Sequence, residues 1–243
     1  MKDVRPYADR EDGKKEQVET MFDNIAGTYD ALNRVLSLGI DKGWRRKMIE
    51  VLKKEEAESI LDVATGTADV ALDIARELPN SKVIGLDLSS EMLSVGRQKV
   101  QKEGFENRVK LVKGDCEALP YDNSTFDAIT VAFGVRNFET LHKGIEEMYR
   151  VLKPGGVLVV LEFTQPRRFP VKPLFNLYFK YVLPTIGRLT SKDPKAYQYL
   201  YDSVQVFPQY DAFLEQLNRA KFSSSYYKSL TFGICCIYVG YKS

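Results

Sequence analysis

LDVATGTADVAL, residues 61–72, decides the fold. A short apolar run breaks into Ala-Thr-Gly-Thr-Ala, and apolar positions then resume at three- and four-residue spacing. SILDVAT (59–65) reads as a strand and TADVALDIARELP (67–79) as an amphipathic helix, with a turn of small residues between them. Gly66 lets the backbone approach a ligand closely. Thr67 is placed to cap the helix, and the free amides of a helix start favour a carboxylate. Taken alone, the loop is equally well explained as a tight turn and nothing more.

The same alternation continues outward. SKVIGLDL (81–88) is a second strand, SSEMLSVGRQKVQKEG (89–104) a helix, and RVKLVKGD (108–115) a third strand. FDAITVAFG (126–134) is a fourth. The helix LHKGIEEMYRVLK (141–153) is stopped by Pro154-Gly155-Gly156, and GVLVVLEF (156–163) is a fifth strand. Strands alternating with helices predict a parallel sheet covered on both faces. A helical stripe of Val206, Tyr210, Phe213, Leu214 and Leu217 follows. Then SYYKSLTF (225–232) and ICCIYVGYK (234–242) meet at Gly233 as an antiparallel hairpin, completing seven strands. Upstream, residues 1–15 are polar and expected to be loose. Residues 16–54 form an N-terminal helical cover, with Val18, Met21, Phe22 and Ile25 in one helix and Trp44, Met48, Val51 and Leu52 in the next.

Composition narrows the functional classes. The 243 residues suffice for one core and one domain, 1–243. Net charge is +2, from 35 basic and 33 acidic residues, which gives no reason to expect nucleic acid as a partner. No apolar segment follows the opening MKDVRPYADREDGKK, and no uninterrupted apolar run approaches the roughly 20 residues of a membrane helix. Of the three cysteines, Cys116, Cys235 and Cys236, the adjacent two would point to opposite sheet faces. A disulfide framework is not expected, and a reducing cytoplasm fits. With one histidine, His142, and no Cys/His cluster, no metal site is expected.

In an open α/β sheet, ligands bind beyond the carboxyl ends of the strands. Gly66 and Thr67 lie beyond the first strand. Asp87 ends the second, 21 positions after Gly66, where an acid commonly holds ribose hydroxyls. Asp115 ends the third, followed by Cys116, and can accept from an adenine amine. A small loop and two acids suit an adenosine carrying an amino-acid head. They suit a dinucleotide less well, because Ala64 and Ala68 stand where G-x-G-x-x-G would place glycines.

With those residues quoted, the chain resembles a class I S-adenosylmethionine-dependent methyltransferase of Rossmann-like fold. More narrowly, MFDNIAGTYDALNRVLSLGIDKGWRRKMI, LDVATGTADVAL, FGVRNF, RVLKPGGVLVVLEF and YQYLYDSVQVFP resemble the menaquinone/ubiquinone C-methyltransferase family, from Val18 to Lys242. The resemblance implies S-adenosylmethionine as methyl donor and transfer to a ring carbon of a prenylated quinol. It implies 2-demethylmenaquinol as acceptor, with a ubiquinone precursor or another small phenol as the alternative. It carries cofactor contacts onto Thr67, Asp87, Asp115 and Cys116. Two positions depart from the pattern: Ala68 stands where a glycine is common, and Ala132 where some members have a cofactor-contacting serine. A non-enzymatic nucleoside-binding module is the rival of another class, and the retained Gly66, Thr67, Asp87 and Asp115 argue against it.

Carbon methylation needs carbon, methyl and sulfur aligned, and oxyanion character stabilised on the ring. Arg136 and Asn137 follow the fourth strand on the catalytic edge. Arg136 is placed either to stabilise a phenolate and orient a water acting as base, or to pair with an acid for structure. Tyr29, Asp30 and Asn33 lie on the cover, where Tyr29 can meet the cofactor or a quinol oxygen and Asp30 can equally be a surface acid. Trp44, Arg45 and Arg46 are expected to anchor the cover, Cys116 to pack, and His142 to sit on a helix surface. Residues 165–205 are expected to form an aromatic lid. Within it, Phe175, Leu177, Tyr178, Phe179, Tyr181 and Val182 surround Lys180 and precede Pro184. That surface either lines a tunnel for an isoprenoid tail, touches the inner face of the membrane peripherally, or serves as a packed lid or homodimer contact.

Overall fold

The computed structural model describes residues 4–37, 39–178 and 193–243. Two helices open the chain, α1 (Lys14–Leu36) and α2 (Asp41–Lys54). The alternating part follows as β1 (Ser59–Val63), α3 (Asp69–Glu77), β2 (Lys82–Asp87), α4 (Ser90–Glu103), β3 (Val109–Lys113), β4 (Phe126–Ala132), α5 (Leu141–Val151) and β5 (Leu152–Phe163). The last third carries α6 (Val171–Leu177), α7 (Pro194–Val206), α8 (Asp211–Arg219), β6 (Ser223–Leu230) and β7 (Cys235–Tyr241).

The strands form one seven-stranded sheet in the order β3-β2-β1-β4-β5-β7-β6. The first five are parallel, and β7 runs antiparallel to both β5 and β6. The chain reverses direction beside β1, so β1 and β4 meet at the centre with their carboxyl ends on one edge. That is where an open α/β sheet leaves a crevice. Fully apolar strands suit this position because both faces are covered. On one face α2, α3 and α4 press Met48, Leu72 and Leu93 onto the sheet. On the other, α5 and α8 press Met148 and Phe213. Cys235 and Cys236 fall in opposite cores, both as free thiols.

A third, smaller apolar cluster lies apart from the sheet. It joins Val18, Met21 and Ile25 of α1 to Met92 of α4, Tyr199 of α7 and Tyr7. Tyr7 corrects the expectation that residues 1–15 are loose. Its ring is buried, its amide donates to Gln17 Oε1 at 2.9 Å, and its hydroxyl bonds to Asp193. Burial is the main cause that pushes its phenol up to about 12. Polar spacing in this stretch hid one aromatic anchor.

Two boundaries also move. Pro154-Gly155-Gly156 does not end the helix; α5 has already ended at Val151, and Leu152 pairs with Phe126. The three residues instead form an irregularity in β5, across which the register with β4 shifts between Phe126 and Ala128. The stripe from Val206 to Leu217 is split. Val206 closes α7, whereas Tyr210, at φ 57°, stands at the start of α8. Phe179, Lys180, Tyr181, Val182 and Pro184 lie outside the described residues.

At the centre of the edge, the loops after β1 and β4 press on each other. A Cβ on Gly134 would lie 2.5 Å from the Cβ of Ala64. Replacing Gly134 by Ala therefore overpacks the crossing and is expected to cost about 1–3 kcal/mol. In an Ala64→Gly background the same change should cost under about 1 kcal/mol, because the opposing methyl is gone. Denaturant unfolding of the four variants of this cycle measures the difference.

Candidate active site

Three residues after β1 take left-handed backbone: Ala64 (φ 53°), Gly66 (φ 55°) and Ala68 (φ 67°). For alanine this conformation costs about 1–2 kcal/mol per residue, so the surroundings must enforce it. They do so through Asp62, a carboxylate inside an apolar strand. Its Oδ2 accepts from Thr65 Oγ1 and its Oδ1 from Thr130 Oγ1, each at 2.6 Å. Burial pushes the Asp62 carboxyl from 3.8 to about 6, against the pull of the two hydroxyls. The Gly66 amide donates to Asp87 Oδ2 at 2.8 Å, and Ser89 donates to Asp87 Oδ1 at 2.9 Å. Burial likewise raises Asp87, while those amides oppose it.

The left-handed Ala68 starts α3 at Asp69, one residue later than a Thr67 cap requires. Thr67 makes no cap. Its hydroxyl donates to Asp30 of α1 at 2.5 Å. Asp115 is likewise engaged, accepting from Lys15 Nζ at 2.7 Å and from the Glu117 amide at 2.8 Å. Cys116 is buried, in keeping with a packing role, and burial raises its thiol well above the usual range.

Two cavities open on this edge beneath α1. The first, of about 720 Å³, is lined by Gly66, Asp87, Asp115, Cys116 and Asn137, with Phe22 and Met92 facing them. The second, of about 1050 Å³, is lined by Gly66, Thr67, Arg136, Phe163, Leu200 and Val204. They share one wall: Tyr29, Ala64, Gly66, Ala132 and Phe133. The structure thus gathers four of the five expected cofactor residues in one cavity and sets Thr67 in the other. It also parts Arg136 from Asn137. Asn137 faces the first cavity, and its Oδ1 is buried without a partner among the described residues.

Arg136 is paired, as one of its two readings required. Its Nη1 donates to Glu162 Oε1 at 2.7 Å and to the Phe133 carbonyl, and its Nε donates to Ser203 Oγ at 3.3 Å. Glu162 is fully buried in β5; burial raises its carboxyl and Arg136 opposes that rise. Among the described residues the Nη2 of Arg136 has no partner. Beside it stands an aromatic wall. The Phe133 and Phe163 rings lie 4.5 Å apart, and Trp44 touches them at 6.1 and 6.0 Å. Trp44 donates its indole N–H to Thr231 at 2.8 Å. Tyr29, whose phenol burial raises, has the Asn33 side chain one turn on, which opposes that rise. Arg45 is buried and bonded to Asp41 and Asp73, which ties α2 to α3. His142 is exposed beside Glu146 and lines neither cavity.

Sequence reading missed Asp62, Glu162, Phe133, Phe163 and Lys15. For the two acids a signal existed, since each interrupts a fully apolar strand, LDV or VVLEF. An acid there must be paired or hydrogen-bonded.

The profile of the ubiE/COQ5 methyltransferase family matches residues 10–242. A demethylmenaquinone methyltransferase of Bacteroides fragilis is 52% identical over 240 residues, 98% of this chain and 97% of that one. A ubiquinone/menaquinone biosynthesis C-methyltransferase UbiE of Geobacter sulfurreducens is 44% identical, over 94% and 90%. Among solved structures, an S-adenosylmethionine-dependent methyltransferase of Thermotoga maritima superposes with a TM-score of 0.65 at 16% identity, covering 93% of this chain and 99% of that one. The cyclase SpnF does so at 0.59 and 17%, over 95% and 96%. At such identities the likeness shows the fold, and a cyclase among the neighbours shows that the fold alone does not choose the reaction.

Asp62 gives this site a pH signature. The folded chain holds its proton to higher pH than the unfolded chain, so its contribution is full below about pH 4 and lost as pH rises through about 6. Asp62→Asn, which like the protonated acid offers one donor and one acceptor to the two hydroxyls, should match wild type in stability at pH 4. It should become the more stable of the two towards pH 7, where wild type has lost the contribution of its proton. Melting temperatures of both proteins across that range check this.

Proposed function

The chain belongs to the ubiE/COQ5 methyltransferase family, and we propose that it transfers a methyl group from S-adenosylmethionine to a ring carbon of 2-demethylmenaquinol, giving menaquinol. The observation that carries this reading is the shared wall: an acid-lined cavity and an aromatic-walled cavity touch at Gly66, Tyr29 and Phe133. The B. fragilis relative carries the name of that reaction. The relatives named for both quinones keep C-methylation of a ubiquinone precursor as the second reading.

The first cavity fits the methyl donor by its chemistry. Asp87 and Asp115 accept from hydroxyls and an amine, and the unpartnered Asn137 Oδ1 is a further acceptor. Among the described residues its one cation, Lys15, is already bonded to Asp115, so none of them favours a phosphate there. In this reading Gly66, Thr67, Asp87, Asp115 and Cys116 hold the donor, which supplies a methyl group on a positively charged sulfur. The donor's amino-acid head extends past the shared Gly66 to Thr67 in the second cavity, and the quinol ring enters the rest of that cavity against Phe133 and Phe163. Glu162 holds one side of the Arg136 guanidinium and leaves Nη2 for the ring oxygen. There it stabilises phenolate character or orients a water that takes the proton. Tyr29 stays protonated and donates across the wall, and Asn137 orders the donor from its own side. With α1 as cover and both substrates in place, water is displaced from the pocket, which favours a step in which two opposite charges partly cancel.

The isoprenoid tail calls for an apolar exit. No described helix is long and apolar enough to cross a membrane. Phe169, Leu174 and Leu177 are nevertheless 87%, 60% and 56% exposed at α6, among Arg167, Arg168 and Lys172. An apolar patch ringed by cations suits the headgroup boundary of an anionic bilayer. The place we infer is the cytoplasm, with the patch of Phe169, Leu174 and Leu177 resting on the inner face of the membrane; a homodimer through the same patch is the competing use.

Two measurements test this. Incubation of the protein with labelled S-adenosylmethionine and chemically reduced demethylmenaquinone, or the reduced ubiquinone precursor, should label the naphthoquinol alone. Label in neither overturns the substrate. In the same assay Arg136→Lys, which keeps the charge but loses the fork, should lower kcat about 10²-fold with little change in KM for the methyl donor. For the membrane, the protein should float with vesicles containing anionic lipid, and Leu174→Ser with Leu177→Ser should abolish flotation. Loss of a dimer in gel filtration, with flotation unchanged, would assign the patch to a second copy instead.

A further inference from the structure

Thr67 faces the second cavity with its hydroxyl already committed on two sides. Its one hydrogen goes to Asp30 Oδ1, at 2.5 Å, a carboxylate that can only accept. Lys99 Nζ donates to the Thr67 oxygen at 3.3 Å. The same ammonium bonds to Asp30 Oδ2 at 2.9 Å and to Asp69. A hydroxyl has one hydrogen and two lone pairs. Among the described residues, one lone pair of Thr67 is therefore left. Anything Thr67 meets in the cavity must bring it a hydrogen.

This restricts what the loop can recognise. An amino-acid head offers a carboxylate and an ammonium. To the carboxylate, Thr67 has nothing to give, since its hydrogen is taken and Asp30 lies behind it. To the ammonium, it gives an oxygen made more basic by the charge-assisted bond to Asp30; the Lys99 ammonium on the same oxygen opposes this, but its charge is outweighed by the two carboxylates it pairs with, Asp30 and Asp69. Asp30 is partly exposed, yet both its oxygens are bonded to groups on the loop and on α4.

We propose that Asp30 is a positioning residue which, by taking the Thr67 hydrogen, makes Thr67 an acceptor and selects the α-ammonium of the methyl donor at this point. The proposal rests on the reading of S-adenosylmethionine as the donor. It adds a residue of the cover helix to donor recognition, through a side chain that touches Thr67 and not the methyl group.

Asp30→Asn is the informative change. The amide keeps the size of the carboxylate but can donate to the Thr67 oxygen, which frees the Thr67 hydrogen to point outward. Titration calorimetry with S-adenosylhomocysteine and with its deamino analogue reads the consequence. Wild type should prefer the amine-bearing ligand by about tenfold or more, the scale of one charge-assisted hydrogen bond. In Asp30→Asn the preference should fall to about threefold or less, through weaker binding of S-adenosylhomocysteine alone. Thr67→Val, lacking the hydroxyl, should show the same collapse, and Thr67→Ser should keep the preference. If Asp30→Asn does not fold, a preference retained in Thr67→Val overturns the proposal by itself. A parallel loss for both ligands, which a merely structural role would produce, also overturns it. Wild type binding neither ligand would instead overturn the methyl-donor reading, and this proposal with it.

Discussion

The chain turns after Val63 more sharply than alanine allows at little cost, and the arrangement of the sheet edge follows from that turn. Left-handed residues at 64, 66 and 68 fold the loop flat across the end of β1. The Gly66 amide then faces Asp87, the start of α3 moves to Asp69, and the Ala64 methyl projects onto the neighbouring loop. There Gly134 has no Cβ, and the two loops close to a contact no side chain could occupy. The wall shared by the two cavities is this contact seen from outside. Only the central glycine suits its backbone freely; the two alanines keep the loop stiff at some cost in strain.

Charge is handled within the sheet by dedicated partners. Asp62 has two hydroxyls, Asp87 has two amides, and Glu162 has Arg136. Asp62 and Glu162 sit where an apolar residue would pack more favourably, and removing either member of the ionic pair would strand a buried charge. What these acids secure is orientation. Asp62 ties β1 to β4, Asp87 fixes the glycine amide, and Glu162 aims a guanidinium beside the aromatic wall.

Much of the architecture was legible from periodicity, because strands buried on both faces and helices with one apolar stripe write distinct patterns. The order of elements from Ser59 to Phe163 and the closing hairpin were readable on that ground. The failures share a cause: a side chain's partner lay far along the chain. Thr67 looked like a cap because its hydroxyl was judged against the next three residues, whereas Asp30 sits 37 positions earlier. Tyr7 looked loose because Asp193, 186 positions away, holds it. Asp87, Asp115 and Cys116 were findable as strand-end residues, but that Arg136 and Asn137 would face different cavities depends on one turn of 3-10 helix, Val135–Asn137, which no spacing announces.

The third apolar cluster gives the cover a standing of its own. Val18, Met21 and Ile25 pack with Met92, Tyr7 and Tyr199 rather than with either face of the sheet. Toward the site, α1 is held by partly exposed polar contacts such as Lys15–Asp115 and Lys113–Glu19, each individually weak and screened by salt. Stability in such a chain is not uniform, and a unit with its own small core can open without the rest. Amide hydrogen exchange in α1 would then report a local opening free energy below that of the central strands. The sheet can be as rigid as its packing allows while traffic into the cavities is set by a few residues at the opposite end of the chain.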